Sequence, residues 1–486
     1  MEDSGTRKAP GPRSGTVTRA QFLALFSAVF LPMFMAAVDQ TLLATATPAI
    51  AASLGGLRDA SWIAVGYLLA AATVVPVYGQ LGDQRGRREM LLAALGVFAL
   101  GSAACAASQS LPQLVAARIL QGLGGGGLMT LSQALIGELV PPRERVRFQG
   151  YFAIVFTTSS VAGPVLGGVV VSHVSWRWLF VANLPLAAFA AWRLLRLPQG
   201  ERHPPRRKSA DVAGQLLFAV ASVSTLFWLT SAGNRFAWSA PESLVLATIG
   251  AASIAALYLH ERRQAAPFIP LDLLRQATIG RSTLLVALFA ICLFALIFFL
   301  PIYLQLGHRM SAQASGLLLL PVTAGMVASA TVSSRVLART GRPRWIPVSG
   351  MALAAAALVL LGTLPPGPTL ITVLGFAAGA GLGTVMPTTQ VTVQTVAGRA
   401  RLGAVTALVA LARSTGGAAG AALFGAVVFA LMPGTLAEVR AGAMDPADEH
   451  VIVEAFHLAF LATAAVAALA ALVASRIPPI TLWKRH

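Results

Sequence analysis

Apolar positions along this chain come in long blocks, separated by short polar stretches rich in arginine. A membrane-crossing helix needs about 20 predominantly apolar residues. Blocks of that kind fall at 21–46, 61–81, 90–108, 111–135, 148–172, 177–197, 212–232, 241–260, 281–305, 312–335, 345–364, 369–391, 403–431 and 455–475. Backbone groups find no water partners in lipid, so each block predicts a helix that satisfies its own hydrogen bonds. The blocks are too long, and alternate too little, for the strands of a membrane barrel. The expectation is an all-α membrane protein with fourteen transmembrane helices.

Charge placement gives the blocks a direction. If both termini lie on one side, the outer loops hold only Arg58, Arg177, Arg235, Arg309 and Arg440 of the 36 lysines and arginines. Arg118 and Arg413 fall inside blocks, and all the others lie on the opposite side. Leaving out one block would invert every later loop and destroy this asymmetry, so the positive-inside rule predicts an even number of spans with both ends cytoplasmic. The expected location is a bacterial inner membrane. Trp62, Trp176, Trp178 and Trp345 fall at block ends, where interfacial anchors sit. The first block is too long for a signal peptide and carries an acid, so it is expected to be retained.

Composition agrees with this reading. The 486 residues are 56% hydrophobic and 11% charged, with a mean hydropathy of +0.73, whereas soluble domains carry about 25% charged residues. A net charge of +18 raises nucleic acid as a partner, but its division among short loops argues against one. Two cysteines, Cys105 and Cys292, sit in apolar runs and make no disulfide framework.

The two ends of the chain echo each other. Gly86-Arg87 after the second block matches Gly341-Arg342 after the tenth, and Gly163-Pro164-Val165-Leu166-Gly167-Gly168 has a counterpart in Gly416-Gly417-Ala418-Ala419-Gly420. A six-helix unit used twice, with two helices inserted between, accounts for both, and internal repeats are the usual architecture of secondary transporters. The expected organisation is a cytoplasmic tail at 1–20, a six-helix bundle at 21–197, a linker with two extra helices at 198–280, a second six-helix bundle at 281–475 and a tail at 476–486.

Four motifs occur in order at the appropriate helix ends: Gly79-Gln80-Leu81-Gly82-Asp83-Gln84-Arg85-Gly86-Arg87-Arg88, Arg118-Ile119-Leu120-Gln121-Gly122, the Gly163–Gly168 run, and Asp39-Gln40-Thr41 with Pro48. Together with Trp176-Arg177-Trp178 and Asn183-Leu184-Pro185 they resemble the major facilitator superfamily, in particular its fourteen-span drug:proton antiporters of the EmrB/QacA type. Ala44, Gln84 and Ala338 stand where that pattern has Asn, a basic residue and an acid. The resemblance implies two six-helix bundles, alternating access and export. It also implies an Asp83/Arg87 latch on the cytoplasmic side, where the acid caps a helix of the opposite half; Glu138 is a candidate member of that cluster. Gly163, Pro164, Gly167 and Gly168 would form the antiporter helix motif, and the proline can bend its helix.

The chemistry centres on Asp39. A charged side chain at mid-membrane costs about 2.5–3.5 kcal/mol on insertion scales, so an embedded acid is a functional residue by default. Arg118 lies at a similar depth, and a pairing with Asp39 that changes between states would change proton affinity. The alternative is a static packing pair. Asp39 is the only acid placed deep in a block, so the expected substrate cavity is apolar. Its candidate lining is Phe34, Tyr67, Phe156, Phe298, Tyr303, Gln305, Gln390 and Arg413. This favours neutral, lipophilic, amphiphilic or anionic substrates over dications. No phosphate-binding loop occurs, which argues against an ATP-driven pump, and a transporter, not an enzyme, is expected. The proton is the coupling ion and no cofactor is expected. His450, Glu454 and His457 read as interfacial residues, not a metal site. The partners are a small substrate and the bilayer, with the chain as a monomer. An exporter of lipids or envelope components, a solute importer and a membrane sensor remain as other readings.

Overall fold

A computed structural model describes residues 19–54, 62–141, 173–197, 211–232, 236–264, 271–308, 310, 317–364, 367–431 and 446–482, and isolated positions between 145 and 171. Among these residues the architecture is all-helical and without β-strands. The first half contains α1 (Arg19–Leu54), α2 (Trp62–Arg85), α3 (Arg87–Ala107), α4 (Leu111–Leu139), α5 (Arg177–Val181) and α6 (Asn183–Leu195). A hairpin of α7 (Val212–Ser231) and α8 (Pro241–Arg263) follows. The second half contains α9 (Leu271–Arg275), α10 (Ala277–Gly307), α11 (Leu320–Thr340), α12 (Trp345–Thr363), α13 (Pro368–Leu382), α14 (Val385–Ala397), α15 (Leu402–Leu431) and α16 (Pro446–Ser475).

Ten helices among the described residues are long and apolar enough to cross a membrane. Of the fourteen expected blocks, the first and seventh contribute shorter apolar helices at 26–40 and 213–225. The tenth, α11, is helical but more polar, with Thr, Ser and Arg along its length. The fifth lies mostly outside the described residues. α1 runs unbroken past the expected end at 46, straight through Pro32 and Pro48. Membrane helices tolerate proline because packed neighbours take up the freed carbonyls.

Two blocks divide where the sequence predicts one helix each. α5 gives way to α6 around Ala182, and α13 gives way to α14 around Gly383 and Thr384. Pro185 and Pro387 supply the reason. Proline has no N–H, so each leaves the carbonyl four residues earlier, at Val181 and Gly383, without its helical donor.

The halves repeat each other's packing. α2 packs on α4 as α11 packs on α13, and α3 packs on α5 and α6 as α12 packs on α16. Small residues allow this. A Cβ on Gly122 of α4 would sit 2.4 Å from the Tyr67 carbonyl of α2, and one on Gly124 would sit 2.4 Å from the Phe98 amide of α3. These glycines bring three backbones into contact, as in small-xxx-small membrane packing. α7 and α8 pack on each other, and α7 also touches α2 and α15, so the hairpin lies against both halves. α8 exposes Leu244, Val245, Ile249, Ile254 and Leu259, an apolar face suited to lipid.

Candidate functional site

α1 carries Asp39 into the interior of the first half, where it is 2% exposed; Arg118 of α4 is 1% exposed. Arg118 Nη1 donates to Asp39 Oδ2, and the two side chains form an ion pair. The other carboxylate oxygen, Oδ1, accepts from Gln121 Nε2 at 2.9 Å and from Asn183 Nδ2 at 3.3 Å. The same two amides also reach Ser102 Oγ of α3, at 2.8 and 3.4 Å. Two helices, α4 and α6, therefore donate to the carboxylate that α1 carries, and Ser102 of α3 bonds the donating amides.

Arg118 has further partners. Its Nε donates to the Ile63 carbonyl at 3.1 Å and its Nη1 also donates to Gln121 Oε1 at 2.5 Å. Its guanidinium lies 4.3 Å from the centre of the Tyr67 ring, whose hydroxyl donates to the Ala36 carbonyl at 3.4 Å. A cation stacked on an aromatic face in a dry site gains about 2 kcal/mol. Arg118 therefore keeps three other contacts if Asp39 lets go.

The second cluster joins the halves at the end of the bundle that carries the basic loops. Asp83 Oδ1 accepts from the Gly403 amide at 2.9 Å, and Oδ2 accepts from the Ala404 amide at 3.0 Å. These are orphan donors of the first turn of α15, so Asp83 caps a helix more than three hundred residues away. A carboxylate there meets both unsatisfied N–H groups and the positive end of the helix dipole. Arg87 ties the cap down, donating to Asp83 Oδ1 at 2.5 Å, Glu138 Oε2 at 2.6 Å and the Arg399 carbonyl at 3.0 Å. Arg145 lies nearby, 3% exposed, and donates to the Val140 carbonyl at 2.7 Å. Burial first, and then the charges of Arg399 and Arg87, push its pKa down to about 10.

Glycine makes the seam tight: a Cβ on Gly79 would lie 2.7 Å from the Gly403 carbonyl oxygen. Beside it Gln394 Nε2 bonds Thr406 Oγ1 at 3.1 Å within the second half and reaches the Gln133 carbonyl of the first at 3.4 Å. The bonds from Asp83, Arg87 and Gln394 close this end of the bundle.

The remaining candidates are spread more widely. Tyr67 lies under Arg118, and Phe34 packs half-buried beside Val38 and Leu42. Tyr303 is buried among Phe456 and Phe460 of α16, with its hydroxyl 3.3 Å from His457 Nε2. Gln390 is fully buried and donates to Thr406 Oγ1 at 3.3 Å, with no hydrogen-bond partner on its Oε1 among the described residues. Arg413 is half-buried on α15. Phe298 and Gln305 belong to α10, but their side chains lie outside the described residues. Gly163 and Gly167 are buried helical positions; Phe156, Pro164 and Gly168 lie outside the described residues, as does His450's side chain. The structure thus joins Asp39 to Arg118 and Tyr67, and Asp83 to Arg87 and Glu138. It sets Tyr303 and Gln390 apart, in the second half.

Ser102, Gln121 and Asn183 were not singled out from the sequence as partners of Asp39. Their signal was there: each is a polar residue in an apolar span, and Gln121 is three residues from Arg118, on the same helix face.

The family model for the Major Facilitator Superfamily matches residues 29–421, and the chain belongs to that superfamily of membrane transporters. Its curated relatives include "Multidrug transporter protein MdtP" of Bacillus subtilis (strain 168), 32% identical over 83% of this chain and 75% of that protein. They also include "Uncharacterized MFS-type transporter Rv1877" of Mycobacterium tuberculosis (strain ATCC 25618 / H37Rv), 34% identical over 86% of this chain but only 61% of the relative's length. Among solved structures, the human organic anion transporter MFSD10 aligns with a TM-score of 0.63 at 17% identity, covering 93% of this chain and 99% of that one. The proton:xylose symporter XylE aligns at 0.64 and 14% identity, covering 96% and 98%. These two likenesses concern the fold alone. The protein is a multi-pass membrane transporter, not an enzyme.

Proposed function

We propose that this protein is a proton-coupled antiporter of the fourteen-span EmrB/QacA type, exporting lipophilic or amphiphilic small molecules across a bacterial inner membrane. Both termini are cytoplasmic, the protein works as a monomer and the proton is its only coupling ion. The observation that carries the reading is the buried Asp39–Arg118 pair with its second set of partners. Protonating Asp39 removes its charge and weakens the ion pair. Arg118 then rests on the Ile63 carbonyl, Gln121 and the Tyr67 ring, so the cation is not stranded. Deprotonation restores the pair and draws α1 and α4 together again. The names of the relatives, multidrug transporters and efflux pumps among them, support drug-like cargo.

The closed seam is the outward-facing or occluded state of this cycle. Asp83 and Arg87 hold α15 against α2 on the cytoplasmic side, and opening requires the cap on Gly403 and Ala404 to break. An N-cap contributes about 0.5–2 kcal/mol, small enough for substrate binding to overcome.

The test is proton release on substrate addition to the purified protein in detergent, with Asp39→Asn beside the parent. The panel holds a neutral lipophile, a monocation and an anion. The parent is expected to release protons on binding and the variant to bind without release. Equal release by both would overturn the assignment of Asp39.

A further inference from the structure

One charge beside the latch has no counter-ion. Asp83 and Glu138 both pair with Arg87. Arg145 is more deeply buried than Arg87, and no carboxylate among the described residues pairs with it. Its bonds are to backbone: Nε donates to the Val140 carbonyl at 2.7 Å, and its amide donates to the Pro141 carbonyl at 3.1 Å. Val140 is the C-cap residue of α4, so the guanidinium meets a carbonyl at the negative end of that helix. This cap explains why the side chain stays in place. It does not neutralise the charge, because a helix end carries only about half an opposite charge.

The charges that act on Arg145 are both positive. Arg87 belongs to the first half, and Arg399 to the turn Arg399–Arg401 that leads into α15 in the second. With its pKa at about 10, Arg145 stays charged at neutral pH. Arg145 and Arg399 are therefore like charges on opposite sides of the seam that Asp83, Arg87 and Gln394 close.

We propose that Arg145 is a positioning residue of the cytoplasmic gate, whose buried charge, without a carboxylate partner, opposes Arg399 and sets how readily the latched halves part. The inference rests on the reading that the seam is the closed state of a gate. In that state the guanidinium is held out of water near two other cations. When the halves separate, Arg399 leaves with the second half and water reaches the guanidinium. Both changes favour the charged side chain, so the charge favours opening. The Asp83 cap and the Arg87 bonds favour closure. Arg399 is exposed, so water screens its share and the whole effect amounts to a few-fold change in the open-to-closed ratio. An arginine that served only as a helix cap would act through the Val140 bond, whatever its charge.

The experiment uses the full-length protein in detergent, with spin labels on α2 and α15 reporting the distance across the seam. Asp83→Ala is the working background, because loss of its cap populates the open inner end. Adding Arg145→Met should lower the open-to-closed ratio by about threefold or more, whereas Arg145→Lys, which keeps the charge and lacks Nε, should leave it within about twofold. Arg145→Met without effect, Arg145→Met that opens the seam further, or equal shifts by Met and Lys would overturn the proposal. If Arg145→Met does not fold, Arg399→Gln in the same background decides: a ratio lowered by about twofold supports the repulsion, and an unchanged ratio removes it. An Asp83→Ala protein that never opens would end the gate reading and this inference with it. One that opens, and that Arg145→Met fails to close again, ends this inference alone.

Discussion

The two halves share a packing plan and bury opposite kinds of polar group. The first holds a full ion pair, Asp39 with Arg118, inside a cage of amides and a hydroxyl. Nearer the seam the second half offers amides and hydroxyls, with Gln390 and Gln394 converging on Thr406 between α14 and α15. Charge that changes with a proton needs compensating partners on every side, whereas a neutral amide can tolerate one unmet oxygen, as Gln390 does. One half therefore buries a compensated ion pair, and the other presents neutral amides and hydroxyls at the seam.

The most severe way to break this contrast is Arg118→Leu. It leaves the Asp39 carboxylate buried without its cation, and removing one partner of a buried pair costs about 3–5 kcal/mol. Thermal melting in detergent should show a large drop, with partial recovery in the double variant Asp39→Asn with Arg118→Leu. An unchanged melting temperature for the single variant would mean the pair contributes nothing to the first half.

Next come the variants of the seam, where the halves meet. Asp83→Ala removes the cap on Gly403 and Ala404 and should weaken closure by about 1–2 kcal/mol, a roughly tenfold shift toward the opened inner end. Gly79→Val should act in the same direction, because its Cβ collides with the Gly403 carbonyl. Distances between spin labels on α2 and α15 would read both. The comparison fails if either variant keeps the closed distance as its dominant population.

A smaller effect is expected at Asn183. Asn183→Leu removes one long bond to Asp39 and one to Ser102, costing about 0.5–1.5 kcal/mol. The smallest belongs to the second half. Gln390→Leu loses one bond to Thr406 but also removes a buried unmet oxygen, so stability should stay within about 1 kcal/mol of the parent. A loss from Gln390→Leu as large as that from Arg118→Leu would erase the distinction between the halves.

Much of this was legible in the sequence for a local reason. Asp39 and Arg118 stood out because each is a charge in an apolar block, and Asp83 with Arg87 stood out through a compact loop motif. The cage was harder to read. Asn183 comes from the far side of a helix break at Ala182, and which way it faces depends on that break. Tyr303 and Gln390 were grouped as cavity candidates because aromatic and amide residues in spans look alike in one dimension. Their surroundings differ in three: one packs in a ring cluster of α10 and α16, the other against Thr406.

By itself the sequence determined that the chain is helical and membrane-embedded, and which charged residues stand inside apolar blocks. Those properties follow from hydropathy and charge summed over short windows. The tertiary structure alone decided that Gln121, Asn183 and Ser102 share one carboxylate oxygen and its neighbourhood, and that Asp83 caps α15 across the seam. Such bonds join helices from opposite ends of the chain, and they depend on helix rotation and backbone approach to within ångströms. Glycines permit that approach, but only the packed bundle sets it.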